Sequence, residues 1–500
     1  MSKAKEKSVG LGDFMLPIVD LMTILITKGI ELISKGVTLI FEKYILKNRI
    51  PEIEKIERDE LLKNITTNDF DSIGYSITAK KDIKSIEINK SKHSVVIGAS
   101  GSGKSVLLDT LMYDDMRNGK PVIYLDPKGD NESLERFIDL CRMNKREYLI
   151  FSEYYDKDNK LKLNPVLDGS VNHIADRIFR SFTWSEEFYA NKSQQALKVS
   201  VKELKEKKTP ITLKSIYEKV LELSDKKLNG KLVLNRAEIE GLITKLDNIV
   251  NSDFGETLEG DNAYSFNQLR EEGKCVYIGL SVLGYAETAR AIGKLILGDI
   301  NYSVYNTYRN ITHDSKNAIN PLGLYIDELS AVITDEFIEI LNKCRGAKIE
   351  ITTAFQTSSD INKISPELCQ QVFENSLNWY VMKQRMQEAA EDISNSIGTM
   401  ESTKKTVRVE DGHELDLGSQ RKVEELIVHP NIIKNLNVGQ CILLRQQPTR
   451  IDLMNVKYID QDTINKNIEF YEYNNWIGER NFKERVTGPV DEAEMGPLNE

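Results

Sequence analysis

The chain has 500 residues, of which 40% are hydrophobic and 29% are charged. This length predicts several domains, and the composition is typical of globular proteins and excludes a disordered chain. The formal net charge of −10 argues against a surface coated for nucleic acid, although it is compatible with a local basic channel. Five scattered cysteines fit reduced thiols in a cytosolic compartment, and five unclustered histidines argue against a zinc site.

The first fifty residues predict an amphipathic, membrane-proximal helical segment. Residues 14–46 are rich in apolar side chains, but charges from Asp20 to Glu42 interrupt them along one helical stripe. A signal peptide is excluded because a clean apolar core and an Ala-x-Ala site are both missing. Three interpretations stay open: a helix on a membrane surface, a helix packed against membrane helices or its own copies, or a core helix. The charged residues 51–79 predict a linker.

One stretch fits the phosphate-binding loop pattern G-x-x-x-x-G-K-[ST] without a mismatch: Gly98, Ala99, Ser100, Gly101, Ser102, Gly103, Lys104 and Ser105. A β-branched strand over residues 94–97 precedes it and helical spacing follows, which is the order that phosphate binding requires. Backbone N–H groups and the helix dipole then face the phosphates. We expect Lys104 to reach the β- and γ-phosphates of ATP, and the Ser105 hydroxyl to bind Mg²⁺.

Strands alternate with helices around this loop, which predicts parallel βαβ units and an α/β fold with a mainly parallel sheet. The first part of the nucleotide-binding domain covers residues 80–170. Its strand patterns lie at 94–97, 121–126 and 148–151. Residues 171–264 change to helical periodicity and predict an all-α insertion domain.

The α/β pattern resumes over residues 265–460, the second part of the nucleotide-binding domain. A long helix is predicted over 285–308, and residues 461–500 predict a flexible polar tail. The strand patterns of this part lie at 275–280, 323–326, 349–355 and 378–382.

The insertion is locally basic. Between Lys192 and Arg236 there are twelve Lys or Arg residues against five Asp or Glu residues. Two interpretations fit this excess: a solvated helical surface, or a face that meets DNA phosphates or an acidic partner. The interpretation as a DNA-binding or partner-binding face relies on four lysines of the insertion: Lys202, Lys205, Lys207 and Lys208.

Polar residues follow two of the predicted strands. Asp327, at one strand end, is expected to hold the Mg²⁺ of the nucleotide, and Glu328 beside it to polarise the attacking water. Gln356, at another strand end, either senses the γ-phosphate and orients the water or is a surface side chain. Arg345 lies in a helix-to-strand turn, where the alternative role is that of a helix-terminal cation.

The motifs GASGSGKS, DPKGD, LYIDEL, CRG and TTAFQ, in this order over about residues 80–460, resemble the type IV coupling proteins. These form the TraD/TraG branch of the HerA–FtsK superfamily. The resemblance implies a RecA-like P-loop NTPase domain and a ring-forming ATPase that moves DNA. Matched by position, it implies a phosphate-loop Lys104 and Ser105, a Walker B pair Asp327 and Glu328, an arginine finger Arg345 and a glutamine sensor Gln356.

The resemblance also implies partners and a location. Single-stranded DNA would pass through the channel of a homo-hexamer, and a relaxase and type IV secretion components would bind to it. The location would be the cytoplasmic face of the bacterial inner membrane, reached through residues 14–46. The two clear N-terminal transmembrane helices usual in the family are not evident in this sequence, so docking onto a membrane protein and a soluble cytoplasmic location stay open.

Two other functions fit the same residues. One is a cytosolic HerA-like DNA motor in repair or defence, and the other is an ATP-binding adaptor that recruits protein substrates to a secretion channel. Under all three functions, one protomer supplies Lys104 and Ser105 from its phosphate loop, together with the two carboxylates and the glutamine that follow the strands. No second cation is evident near them, so we expect Arg345 to act in trans on a neighbouring protomer.

Overall fold

The computed structural model describes Lys28, Ile56 and residues 71–470, without 89–92, 229–230, 261, 311–318 and 411–412. The chain forms two units, one of Met1–Glu54 with Gln447–Arg450 and one of Lys55–Gln446 with Ile451–Glu500. Of the first unit, only Lys28 and Gln447–Arg450 are described. The amphipathic segment expected at 14–46 therefore lies, except for Lys28, outside the described residues.

An eleven-stranded sheet organises the second unit, in the order β2-β1-β15-β14-β11-β3-β10-β9-β4-β8-β5. The strands from β11 to β5 in this order run parallel, which confirms the α/β fold with a mainly parallel sheet. The strands of the parallel part are β3 (Ser94–Ile97), β4 (Val122–Asp126), β5 (Tyr148–Phe151), β8 (Cys275–Gly279), β9 (Leu322–Ile326), β10 (Ile349–Phe355) and β11 (Asn378–Val381).

Helices connect the parallel strands and cover the sheet. Strands β3, β4, β8 and β9 are buried along their whole length, as expected for a sheet that is covered on both faces. The covering helices are α1 (Lys104–Arg117), α2 (Asn131–Met143), α8 (Ala286–Asn310), α9 (Asp335–Cys344), α10 (Ser358–Asn362), α11 (Pro366–Asn375), α12 (Gln387–Ile397) and α13 (Pro430–Asn435).

Four antiparallel strands extend the sheet beyond β11: β14 (Gln440–Gln446), β15 (Thr449–Val456), β1 (Ser72–Ser76) and β2 (Lys81–Lys84). Strand β1 corrects the expectation that residues 51–79 are a linker. Its five residues, Ser-Ile-Gly-Tyr-Ser, are too few and too interrupted by serine and glycine to predict a strand. Its burial comes from pairing with β15, which lies far away in the sequence.

The segment between β5 and β8 is mainly helical. It contains α3 (Val171–Ser181), α4 (Glu187–Glu206), α5 (Leu213–Asp225), α6 (Arg236–Val250) and α7 (Phe266–Glu272), with two-residue strands β6 (Lys227–Leu228) and β7 (Lys231–Leu232). A buried ion pair joins α3 to α8, with 3.0 Å between Arg177 Nη1 and Asp299 Oδ1. Because both partners are desolvated, loss of either one would leave an uncompensated buried charge.

Near the end of the described chain, β12 (Thr399–Glu410) and β13 (His413–Leu426) form an antiparallel hairpin. Residues 461–470 are helical, and Ile464 is fully buried against the main core. The flexible tail expected at 461–500 is therefore wrong for its first ten residues, because an apolar side chain within the polar sequence anchors them. In the part of the chain that the structure describes, no helix has both the length and the apolar character of a membrane span.

Candidate nucleotide-binding site

The phosphate loop connects β3 to α1 at the edge where the parallel strands end. Gly103 has a φ of 101° and precedes the first residue of α1, a conformation that favours glycine. No side chain caps the N-terminus of α1, so its first backbone N–H groups are available to an anion. The loop and the helix start thus have the geometry of a phosphate cradle.

Lys104 lies over this loop. Its Nζ donates a hydrogen bond to the carbonyl oxygen of Gly98, at 2.7 Å. Burial lowers the pKa of Lys104, whereas the nearby carboxylates of Asp327 and Glu328 act in the opposite direction. Phosphate oxygens would supply the charge partner that compensates this burial.

Two carboxylates follow β9, which is separated from β3 by β10 alone. Asp327 is buried, and its Oδ1 accepts the backbone N–H of Glu328 at 2.8 Å. Glu328 has a φ of 42°, a left-handed conformation that costs energy for a non-glycine residue and occurs often at functional sites. The oxygens of Asp327 and of the exposed Ser105 are donors that suit Mg²⁺.

Gln356 follows β10, between the phosphate loop and the carboxylates. Its Nε2 lies 3.4 Å and 3.5 Å from the two carboxylate oxygens of Glu328. The buried Gln384 donates its amide N–H to the backbone carbonyl of Gln356, at 3.1 Å. These contacts hold Gln356 beside Glu328, at the edge where the parallel strands end.

One buried acid, Asp126, and one half-buried acid, Asp109, lie beneath this edge. Burial raises the pKa of Asp126, at the end of β4, to about 6, although the Tyr277 hydroxyl donates to its Oδ2 at 2.8 Å. Burial also raises the pKa of Asp109 on α1 to about 6, against the effect of the Arg136 guanidinium. The negative charge of Asp327 contributes to both shifts, so carboxylate charge is concentrated here.

Arg345 is not at this edge. It follows α9 and precedes β10, and its side chain is exposed. Because β10 runs parallel to β3, Arg345 lies where these strands begin, whereas the phosphate loop lies where they end. A seven-residue strand is about 23 Å long, so Arg345 cannot reach the phosphate loop of its own chain.

Two further segments also contact the phosphate loop, and the sequence assigned neither of them to the nucleotide site. Arg385, after β11, donates from Nη2 to the carbonyl oxygen of Ser100 at 3.1 Å. Gly439, before β14, donates its N–H to the carbonyl oxygen of Ser102 at 3.1 Å. Arg385 corrects the expectation that one protomer has no second cation near the phosphates.

A strand-end rule would have found Arg385. Asp327 and Gln356 were singled out because they follow parallel strands, and Arg385 follows another such strand, β11, after three intervening residues. Gly439 precedes an antiparallel strand, so the same rule does not reach it.

Comparison with known families fits this geometry. Residues 72–300 match the family described as "Helicase HerA, central domain", and residues 321–437 match "TraM recognition site of TraD and TraG". Both matches are consistent with the resemblance to the type IV coupling proteins of the HerA–FtsK superfamily. No curated protein matches this chain by sequence.

Solved structures of low sequence identity share the fold. The bacterial conjugative coupling protein TrwBΔN70, unbound, is 18% identical over 81% of this chain and 93% of its own, with a TM-score of 0.59. TrwB in complex with ADP and Mg²⁺ is 18% identical over 82% and 96%, with a TM-score of 0.55. VirB4 of Thermoanaerobacter pseudethanolicus is 14% identical over 79% and 98%, with a TM-score of 0.50.

Proposed function

We propose that this chain is a type IV coupling protein, an ATPase that moves single-stranded DNA from a relaxase–DNA complex toward a type IV secretion channel during conjugation. The observation that carries the proposal is the convergence of Lys104, the Asp327–Glu328 pair and Gln356 at one sheet edge. The match of residues 321–437 to the "TraM recognition site of TraD and TraG" supports the conjugative context.

The proposed reaction is transfer of the γ-phosphoryl group of ATP to water. Lys104 leaves the Gly98 carbonyl and binds the β- and γ-phosphates, and the N-terminus of α1 neutralises their charge. Glu328 accepts a proton from the attacking water, which Gln356 orients from within 3.5 Å of the carboxylate. The new bond forms between the water oxygen and the γ-phosphorus, and the bond to the bridging oxygen breaks to release ADP.

Mg²⁺ is part of this proposal. Ser105 and Asp327 would hold it, with their oxygens as ligands. When bound, the ion neutralises charge on the β- and γ-phosphates. Support comes from the fold neighbour TrwB, which has been solved with ADP and Mg²⁺ and with the ATP analogue ADPNP.

The assembly is also proposed. Arg345 lies on the opposite sheet edge from its own phosphate loop, so a contribution to hydrolysis requires a second protomer. A closed homo-hexamer supplies one such neighbour for every site. We further propose that residues 14–46 attach the ring to the cytoplasmic face of the inner membrane or to a membrane protein.

The test is ATP hydrolysis by the full chain with Mg²⁺, measured as phosphate release without DNA, with single-stranded DNA and with double-stranded DNA. We expect single-stranded DNA to stimulate hydrolysis several-fold more than duplex DNA. Hydrolysis that is indifferent to both would favour the adaptor function, and absence of hydrolysis would contradict an ATPase.

A cytosolic HerA-like DNA motor is a second candidate, because the longer family match is to the HerA central domain. Stimulation by duplex DNA, together with no association of the full chain with membranes on flotation, would favour it over conjugative coupling.

A further inference from the structure

A groove runs along one face of α8, at the opposite side of this helix from the sheet core. It begins at a cavity of about 170 Å³ between α3, α6 and α8 and continues into one of about 610 Å³ between α3, α8 and α9. Ser181 and Lys294 line both cavities, so the two form one continuous groove.

The lining residues of α8 form a single stripe. Arg290, Lys294, Gly298, Tyr302 and Tyr305 are spaced by three or four residues and therefore share one face of the helix. The stripe is about 22 Å long, from the helical rise of about 1.5 Å per residue. Arg290 and Lys294 lie in the first half of the stripe, which we call the cationic half. Tyr302 and Tyr305 lie in the second half, which we call the aromatic half.

The cationic half has local positive charge in a chain with a net charge of −10. Lys294 makes no ion pair within the part of the chain that the structure describes. Lys245 of α6 lies across the groove, 5.8 Å from the ring centre of Trp184. Glu287 also lines this half, but Arg290, Lys294 and Lys245 outnumber it.

The aromatic half offers exposed ring surface. Tyr305 is 46% exposed, and its ring centre lies 5.2 Å from that of His173 and 6.0 Å from that of Tyr302. The two acids that line this half, Asp176 and Glu339, already pair with Lys198 and Lys343, at 3.7 Å and 3.1 Å. Their pairing reduces the repulsion that a phosphate backbone would meet.

A basic track that continues into exposed aromatic rings, on which bases can stack, is the combination that binds single-stranded nucleic acid. Phosphates need cations along the strand, and unpaired bases need exposed π-faces. The length of the stripe corresponds to about four nucleotides, the lower end of the usual site size. We propose that this groove, which we call the α8 groove, binds single-stranded DNA; the proposal rests on the function proposed above and deepens it.

The position of the groove connects DNA to hydrolysis. Ile340 and Lys343 of α9 line its aromatic half. Helix α9 follows Asp327 and Glu328 after a short 3₁₀ turn, Leu329–Ala331, and it ends at Arg345. A strand in the α8 groove would therefore contact the helix that separates the catalytic carboxylates from the arginine expected to act in trans.

The α8 groove also replaces the lysine cluster of α4 as the DNA site. Lys202 of α4 pairs with Glu206 at 3.8 Å, and Lys207, directly after the helix, pairs with Glu203 at 3.9 Å, so acids alternate with these lysines. That pattern is typical of a solvated helix face. It provides a matched control, because neutralising two lysines there changes the net charge as much as neutralising Arg290 and Lys294.

The experiment measures binding of a fluorescein-labelled oligothymidylate of about 20 nucleotides to the full chain by fluorescence anisotropy, over a series of salt concentrations. We expect Arg290→Ala with Lys294→Ala to weaken binding about tenfold or more and to lower the salt slope by about 1.4, from about 0.7 per phosphate contact. Tyr305→Ala should weaken binding about fivefold or more with an unchanged salt slope, and Tyr305→Phe should retain binding. Melting temperatures of all variants check that they fold.

The control variant, Lys202→Ala with Lys207→Ala, should bind within about twofold of the wild type, because it leaves the groove intact. If the groove variants bind as the wild type does, or if the control weakens binding equally, the α8 groove is not the DNA site while the DNA motor stands. If the wild-type chain binds no oligothymidylate at all, the DNA motor itself is contradicted.

Discussion

The two edges of the parallel sheet hold their functional side chains in different ways. At the edge where the strands end, side chains contact each other within one chain: Lys104 reaches Gly98, and Gln356 reaches Glu328. At the edge where they begin, the Arg345 side chain is exposed and makes no ion pair within the described part of the chain.

The backbone around Arg345 is nevertheless fixed. The buried His93 ring accepts the Ile351 N–H at Nδ1 and therefore donates from Nε2 to the Leu341 carbonyl, at 3.0 Å each. Burial lowers the pKa of His93 to about 4, which keeps this arrangement neutral at pH 7. The Tyr308 hydroxyl donates to the Lys343 carbonyl at 2.8 Å.

The difference between the two edges indicates a different role for each in the proposed ATP hydrolysis. At one edge, contacts within a single chain already position the side chains of the proposed reaction, Arg385 among them. The other presents an exposed guanidinium on a turn next to Gly346, where any Cβ would collide with the Tyr308 hydroxyl. A rigid support with an unengaged cation suits delivery to another protomer.

The largest effect is expected for Arg345. Arg345→Ala should lower kcat by about 10³-fold or more, since an arginine in trans stabilises charge on the transferred phosphoryl group. Lys104→Ala should be as inactive, because its own phosphate loop cannot bind the phosphates productively. A mixture of the two variants should regain phosphate release, because some interfaces join an intact loop to an intact arginine.

Native mass spectrometry of the mixture provides the control that mixed rings form. Mixed rings without activity, or normal hydrolysis by Arg345→Ala alone, would reduce Arg345 to a helix-terminal cation and remove the functional difference between the edges.

A smaller effect is expected for Glu328. Glu328→Gln should lower kcat by about 10²- to 10³-fold, because the amide cannot accept the proton of the attacking water. Binding of a fluorescent ATP analogue should be retained, since Lys104 and the helix N-terminus are unchanged. Turnover at the wild-type rate would show that another group activates the water.

The smallest effect is expected for Arg385. This residue adds a cation to the edge where the parallel strands end. Arg385→Ala should weaken binding of the ATP analogue by about tenfold, as expected for loss of one charged hydrogen bond. Arg385→Lys should restore part of the affinity but not all of it, because only arginine offers the planar fork. Unchanged affinity in Arg385→Ala would limit this residue to a surface contact with Ser100.

The site residues that could be predicted from the sequence alone are those placed by their immediate neighbours in the chain. The phosphate loop was predictable because its glycines, Lys104 and Ser105 are contiguous, and Asp327 and Gln356 because each follows an evident apolar strand. The parallel strands were recognisable for the same reason, since their buried residues form short apolar runs.

The rest depends on contacts between distant segments. Strand β1 is buried only through its pairing with β15, and Gln384 is placed by the position of β11 beside β3. The α8 groove combines residues of α3, α6 and α9 with one face of α8, and its stripe becomes visible only when α8 is known to be exposed there. Local patterns carry no signal for such placements.

The hydrogen bond from Gly439 to Ser102 has a consequence for synthesis of the protein. About 340 residues separate the two partners along the chain, and Val456 also donates its N–H to the Gly439 carbonyl, at 2.8 Å. At about 5–20 residues per second, a ribosome needs about 20–70 seconds to add the segment that covers the loop. The nascent chain therefore carries its phosphate loop uncovered for most of its translation, and the nucleotide site is completed only as the last strands of the sheet emerge.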